Sequence, residues 1–169
     1  MTEDNVMQAR SMFKKMPDDV FINYLAPLIS DLGWPFESDE QSVIGTSWER
    51  VLNGVSLKDL SSANWGVCEV NFSRFPICPQ SENDIRLVIE NSNSSADNYL
   101  GYDLKRCRES FFFNRHYLIQ NGEFISPVVL LISKELFVKV LDGNHRLAAL
   151  FSVGAKKYKS LKAWVGSIA

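Results

Sequence analysis

The last third of the chain constrains the fold most. Pro127-Val-Val-Leu-Leu-Ile-Ser133 is an apolar run of strand length, and Leu136-Phe-Val-Lys-Val-Leu141 is a second. Lys134-Glu135 makes a tight connection between them, so the two runs form a hairpin. The second run stops in Asp142-Gly143-Asn144 and passes without a spacer into His145-Arg-Leu-Ala-Ala-Leu-Phe-Ser152, a helical pattern that Gly154 ends. Ser160-Leu-Lys-Ala-Trp-Val165 is a final strand. Strand, strand, glycine turn, helix, strand predicts an α/β (α+β) fold with a small mixed sheet, behind an N-terminal helical layer.

That layer is read from residues 1–60. Val6, Ala9, Phe13 and Met16 recur at helical spacing, as do Phe21, Tyr24, Leu25, Leu28, Ile29 and Leu32 after the helix start Pro17-Asp18-Asp19. Pro27 should kink or split the second pattern, and Gly33 should end it. Thr46 and Glu49 have capping-box spacing before Trp48, Val51, Leu52 and Val55, with Gly54 dividing that segment. The region carries no catalytic constellation; it reads as a helical cap over a core of residues 61–169 and as a surface for a protein partner. In that core, Gly66-Val-Cys-Glu-Val-Asn-Phe72 reads as a strand closed by Pro76 and Pro79. Ile85 to Ile89 reads as a short strand or helix turn, and residues 91–98 as a polar loop. Asp103 caps a helix running to about Gln120, with Leu104, Cys107, Phe111 and Leu118 on its buried stripe and Asn121-Gly122 as its stop.

Composition excludes several classes. With 46% apolar residues and 20 aromatic ones among 169, the chain is neither disordered nor low in complexity. Its three cysteines, Cys68, Cys78 and Cys107, are too few and too scattered for a disulfide framework or a zinc knuckle. The start of the chain is acidic and polar, unlike an export signal, and no apolar run approaches the ~20 residues a bilayer requires. The expectation is a cytoplasmic protein without membrane insertion. Charge is unevenly distributed. Residues 1–100 carry 7 Lys/Arg and 15 Asp/Glu, a net −8, whereas residues 101–169 carry 11 and 5, a net +6. The basic part suits an anionic partner; attraction between the two parts explains it equally well.

The Asp-Gly-Asn-His-Arg turn is the candidate for chemistry. Gly143 permits a sharp turn and a close approach of ligand to backbone. Asn144 can cap the helix, whose free N–H groups form the positive dipole end. His145 and Arg146, in the first turn, can converge on an anion such as phosphate. The alternative is an ordinary Asp-Gly turn with Arg146 as a surface charge. Lys156, Lys157, Lys159 and Lys162 alternate with Tyr158 and Trp164, which suits a nucleic-acid backbone with a stacked base or, as readily, a solvated loop. His116 and Cys107 read as structural.

The stretch from Ser126-Pro127-Val-Val through Leu141-Asp-Gly-Asn-His-Arg-Leu-Ala-Ala-Leu150 to Gly154 resembles the ParB/sulfiredoxin superfamily, as does the preceding helix end Tyr117-Leu-Ile-Gln-Asn-Gly122. The resemblance spans roughly residues 65–169. It implies that Gly143, Asn144, His145 and Arg146 surround the phosphates of ATP or a related nucleotide, with Mg2+, and that Arg74, after the family's first strand, adds a phosphate contact. For phosphoryl chemistry, Asp142 is the nearest carboxylate, with Glu69 and Glu123 as further candidates beside His145. Two departures narrow the reading. Sulfiredoxin has its catalytic cysteine where this chain has Asn144, which removes sulfinic-acid reduction. ParB proteins have Glu-Arg-Arg after the glycine and a helix-turn-helix module beyond, for which the fifteen residues after Gly154 leave no room. What the resemblance implies is a stand-alone nucleotide-binding hydrolase, cleaving ATP or DNA, of the kind that in plasmids inhibits conjugative DNA transfer. A kinase of a small molecule such as free serine, and a non-enzymatic nucleotide switch, are the alternatives.

Overall fold

The computed structural model describes residues 3–34, 52, 55–133 and 137–168. The chain divides into two units, Met1–Gly66 with Gly166–Ala169, and Val67–Val165. The proposed capped segment around Thr46 and the Lys134-Glu135 connection lie outside the described residues.

In the first unit, α1 (Glu3–Met12) is followed by a tight corner and a second helix, α2 (18–32). Arg10 holds the corner. Its guanidinium donates to the carbonyls of Phe13 at 2.6 Å and Met16 at 2.8 Å and pairs with Asp18 at 2.5 Å. These contacts satisfy carbonyls that a helix end leaves without partners. Helix α2 does not break at Pro27. It runs from Asp18–Val20 through a π turn, Phe21–Leu25, into Ala26–Leu32. Proline lacks an N–H and crowds the carbonyl four residues back, and the change from π to α geometry falls immediately upstream of it, with Pro27 in the first turn of the Ala26–Leu32 segment. Gly33, at φ 89°, ends the helix as expected. Phe13, Met16, Leu25 and Ile29 are buried within this unit. A short helix α3 (Leu57–Ser62) is capped by Ser56, whose side chain accepts from the Asp59 N–H at 3.0 Å.

The second unit holds all but the outer ends of β1 and β6 in a mixed four-stranded sheet of β1 (Asn64–Val70), β4 (Val128–Ile132), β5 (Val138–Asp142) and β6 (Leu161–Ser167), in the order β1-β6-β4-β5. Residues 128–131 are all buried, as an apolar run covered on both faces must be. Strands β4 and β5 form the expected antiparallel hairpin, with an irregularity between Val129 and Leu130 and Val129 opposite Asp142. The outer edge of β5 is covered by residues 76–81. There the Val138 N–H donates to the Pro76 carbonyl, the Cys78 N–H to the Val138 carbonyl, and the Val140 N–H to Ser81 Oγ at 3.0 Å.

Helix α4 (Pro79–Ser92) replaces the short element expected at 85–89 and absorbs the start of the expected polar loop. Its buried stripe, Ser81, Ile85 and Ser92 with Val88 and Ile89 partly buried, is helical in spacing but ends in serines, so apolar periodicity alone underestimates it. A two-stranded ribbon, β2 (Asn98–Tyr99) and β3 (Tyr102–Asp103), leads into α5 (Leu104–Asn121). Asp103 accepts the Arg106 N–H at 2.8 Å, and Gly122, at φ 71°, terminates the helix, as the sequence predicts. Helix α6 (Asn144–Val153) packs on α4 and α5, with Ala148 and Ala149 fully buried where the helices approach. A 3-10 turn, Ala155–Lys157, connects it to β6.

Candidate functional site

The turn between β5 and α6 is held from two sides. Gly143 adopts φ 113°, ψ 19°, in the left-handed region. A Cβ there would lie 2.6 Å from Val128 Cγ1 and 2.9 Å from its Cβ, so the glycine serves both conformation and packing. Gly143, not Asn144, is the N-cap residue, and its carbonyl accepts the first helical bond from the Leu147 N–H at 2.9 Å. The expected Asn144 cap is therefore corrected. With glycine at the cap, Asn144 is the first helical residue, its side chain makes no cap bond, and its Oδ1 is buried without a hydrogen-bond partner. A buried amide oxygen left in this way fits a donor brought by a ligand.

Arg146 faces inward. Its side chain is 11% exposed, so it is not the surface charge of an ordinary turn. One terminal nitrogen donates to the Ser126 carbonyl at 2.9 Å, to Ser126 Oγ and to the Pro127 carbonyl at 3.2 Å, while the other pairs with Asp142. The forked guanidinium thus ties the segment before β4 to both ends of the turn. Both side chains are engaged: Arg146 is not an open phosphate clamp, and Asp142 is not a free base.

His145 lies beside Cys107 of α5, with Nε2 3.5 Å from Sγ. Burial pulls the imidazole below its ordinary range; the Asp142 carboxylate opposes this, while Arg146 and Arg106 add to it. Burial pushes the Cys107 thiol up, against the attraction of Arg108. The pair is therefore a neutral imidazole beside a neutral thiol at pH 7. Cys107 sits on the stripe that sequence assigns to the core, and its contact with a residue 38 positions away had no local signal.

Next to the turn is a polar pocket of about 440 Å³ lined by Glu69, Glu123, Ser126, Ser160 and Lys162, among others. Ser126 belongs to both, since it also holds Arg146. Glu69 is positioned by the Ser160 hydroxyl, which donates to it at 2.9 Å. The structure thus brings Glu69, Glu123 and Lys162 to one pocket, which meets the turn through Ser126 and Pro127, the two residues that Arg146 holds. Other expected residues lie elsewhere. Arg74 is exposed on the turn after β1 and lines neither this pocket nor the apolar one below. Lys156, Lys157 and Lys159 are exposed on the segment before β6, but Tyr158 turns inward, with its hydroxyl 3.4 Å from the Leu118 carbonyl, and is not presented for stacking.

A larger apolar pocket of about 710 Å³ lies between α4 and α6, lined by Phe72, Phe75, Ile77, Ile85, Ile89 and Phe151, with Glu82, Arg86 and Glu90 also on its wall. It contains none of the residues singled out by sequence. Comparison with protein-family models, curated proteins and solved structures returns no match.

Proposed function

We propose that this chain binds the phosphates of a nucleotide at the start of α6 and hydrolyses a phosphoanhydride or phosphodiester bond. The observation that carries this reading is the left-handed Gly143 turn, which opens α6 with its first amides lacking helical acceptors and with the unpartnered Asn144 Oδ1 beside them. Phosphate oxygens suit the amides and the dipole. A hydroxyl or amino group of the same ligand suits Asn144, and a nucleotide carries both. Arg146 is here a positioning residue, fixing the turn through Ser126, Pro127 and Asp142.

In the hydrolytic step, water attacks phosphorus, a carboxylate of the polar pocket takes its proton, and the bond to the leaving oxygen breaks. In this reading Glu123 takes that proton and Lys162 meets charge on the transferred group, which their shared place on the pocket wall supports. Among the described residues no three His, Cys, Asp or Glu side chains gather into a metal cage. One or two carboxylates completed by phosphate oxygens is the donor set that Mg2+ accepts, and Glu69 fits that role, leaving Glu123 for the proton. When bound, the ion supplies neutralisation of charge on the phosphoryl oxygens. DNA as substrate, through Lys162 and the exposed Lys156, Lys157 and Lys159, and a role in limiting conjugative transfer, belong to this proposal. A second reading, nucleotide binding without turnover, is favoured by the engagement of Asp142 with Arg146.

The test is incubation with Mg2+ and labelled ATP, single-stranded DNA or duplex DNA, beside Asn144→Ala and Glu123→Gln. The proposal expects release of phosphate or cleavage, a fall of tenfold or more in rate for Glu123→Gln, and weaker nucleotide binding for Asn144→Ala. Binding without turnover selects the switch, and absence of nucleotide binding by the wild type refutes both.

A further inference from the structure

Helix α5 exposes an apolar stripe that no described element of the chain covers. Phe112 is 50% exposed, Phe113 58% and Ile119 53%, and Lys105, Glu109 and His116 are exposed on the same side. At 100° per residue, positions 105, 109, 112, 113, 116 and 119 share one face, over about 21 Å of helix. Phe112 is held in place by an edge-to-face contact with the buried Phe111, ring centroids 5.1 Å apart. Among the described residues, Glu109 and His116 make no side-chain hydrogen bond or ion pair.

We propose that this face pairs with α5 of a second copy of the chain, antiparallel, about a two-fold axis between Phe112 and Phe113. A second copy complements the charges of this face, offering a hydrogen-bond donor to the Glu109 carboxylate and a helix's carbonyl end to the Lys105 ammonium. A two-fold axis at that point sets Phe112 opposite Phe113, Glu109 opposite His116, Arg106 opposite Ile119 and Lys105 opposite Gln120. Four rings form the centre. The Glu109 carboxylate accepts from the imidazole N–H on both sides of it. The aliphatic stem of Arg106 covers Ile119, and Lys105 meets the carbonyl end of the opposing helix. No like charges face each other. A parallel pairing places Glu109 beside Glu109 and Lys105 beside Lys105, so the pattern selects the antiparallel arrangement. A polyanion is the poorer occupant because Glu109 sits between the cations at the start of the helix and the rings. The interface is small, which sets the dimer among weak associations.

Sedimentation velocity from about 5 to about 500 micromolar tests this. The wild type should show a dimer fraction rising with concentration. Phe113→Glu, which sets a carboxylate against the opposing Phe112, should remain monomeric with an unchanged circular dichroism spectrum and melting temperature. Glu109→Lys should weaken association about fivefold or more, and the double variant Glu109→Lys/His116→Glu should restore it. A wild type that stays monomeric throughout, or a Phe113→Glu variant that dimerises like the wild type, overturns the proposal. So does retention of a single-stranded oligonucleotide that is lost in Phe113→Glu without any dimer, which assigns the face to nucleic acid.

Discussion

Replacing Gly143 by alanine tests the turn on which the candidate site depends. Two costs combine. A non-glycine residue at φ 113° is strained by about 1–3 kcal/mol. The new Cβ would also stand 2.6 Å from Val128 Cγ1, inside any tolerated contact, and Val128 is fully buried in the central strand, so relief requires displacement of β4 or α6. Overpacking of this kind costs about 1–3 kcal/mol. The expected loss is about 2–6 kcal/mol, a large part of the ~5–15 kcal/mol that holds a typical domain together. Urea unfolding followed by circular dichroism measures it. Gly122→Ala is the control, because Gly122 also has positive φ, 71°, but nothing within 4 Å of the added Cβ. That variant should carry the strain alone. Val128→Ala should recover about 1 kcal/mol or more when combined with Gly143→Ala, as neighbouring residues couple. If Gly143→Ala costs no more than Gly122→Ala, or the double variant is merely additive, the argument for a glycine pinned against Val128 is wrong.

Three further outcomes are expected. Arg146→Lys keeps the charge but cannot fork between Asp142 and the Ser126 and Pro127 carbonyls, so it should cost about 1–3 kcal/mol in the same unfolding assay; an unchanged midpoint would contradict the hub role. His145 has a folded pKa below its unfolded one, so the unfolded state binds more protons as pH falls below about 6.5, and the stability His145 contributes by being neutral is lost through its folded pKa. His145→Gln should flatten that acid limb of the stability profile, and a profile identical to the wild type would refute the assignment. Ser81→Ala removes the acceptor of the Val140 N–H and should cost about 1–3 kcal/mol, with faster amide exchange at Val140 as the specific readout.

What the sequence made legible is what local chemistry determines. The helix from Asp103 to Gly122 is readable because its cap and its left-handed stop are both written in residue type. The β4–β5 hairpin and the glycine turn into α6 are readable for the same reason. Helix α4 was underestimated because small buried serines complete a stripe that only its middle marks as apolar. Pro27 marks the place where the helix changes type, as a split there implies, but the π turn that precedes it has no compositional signature. Asn144 as a cap was wrong by one position, since the left-handed Gly143 takes the cap itself. In the candidate site, the neighbourhood of Glu69, Glu123 and Lys162 depends on how three distant segments meet. So do the inward course of Arg146 onto Ser126 and the contact of His145 with Cys107. No spacing rule within one segment carries such pairings.

The central claim is that phosphate binds at the amides that open α6. The most direct measurement is a titration of the 15N-labelled chain with ATP and Mg2+, and separately with inorganic phosphate, followed by amide chemical shifts. The account predicts that the amides of Asn144, His145 and Arg146 shift with a common saturation curve, with smaller changes at Glu123 and Ser126. ATP that leaves these amides unmoved while shifting residues around the apolar pocket at Ile85 and Phe151, or shifting none, would contradict it.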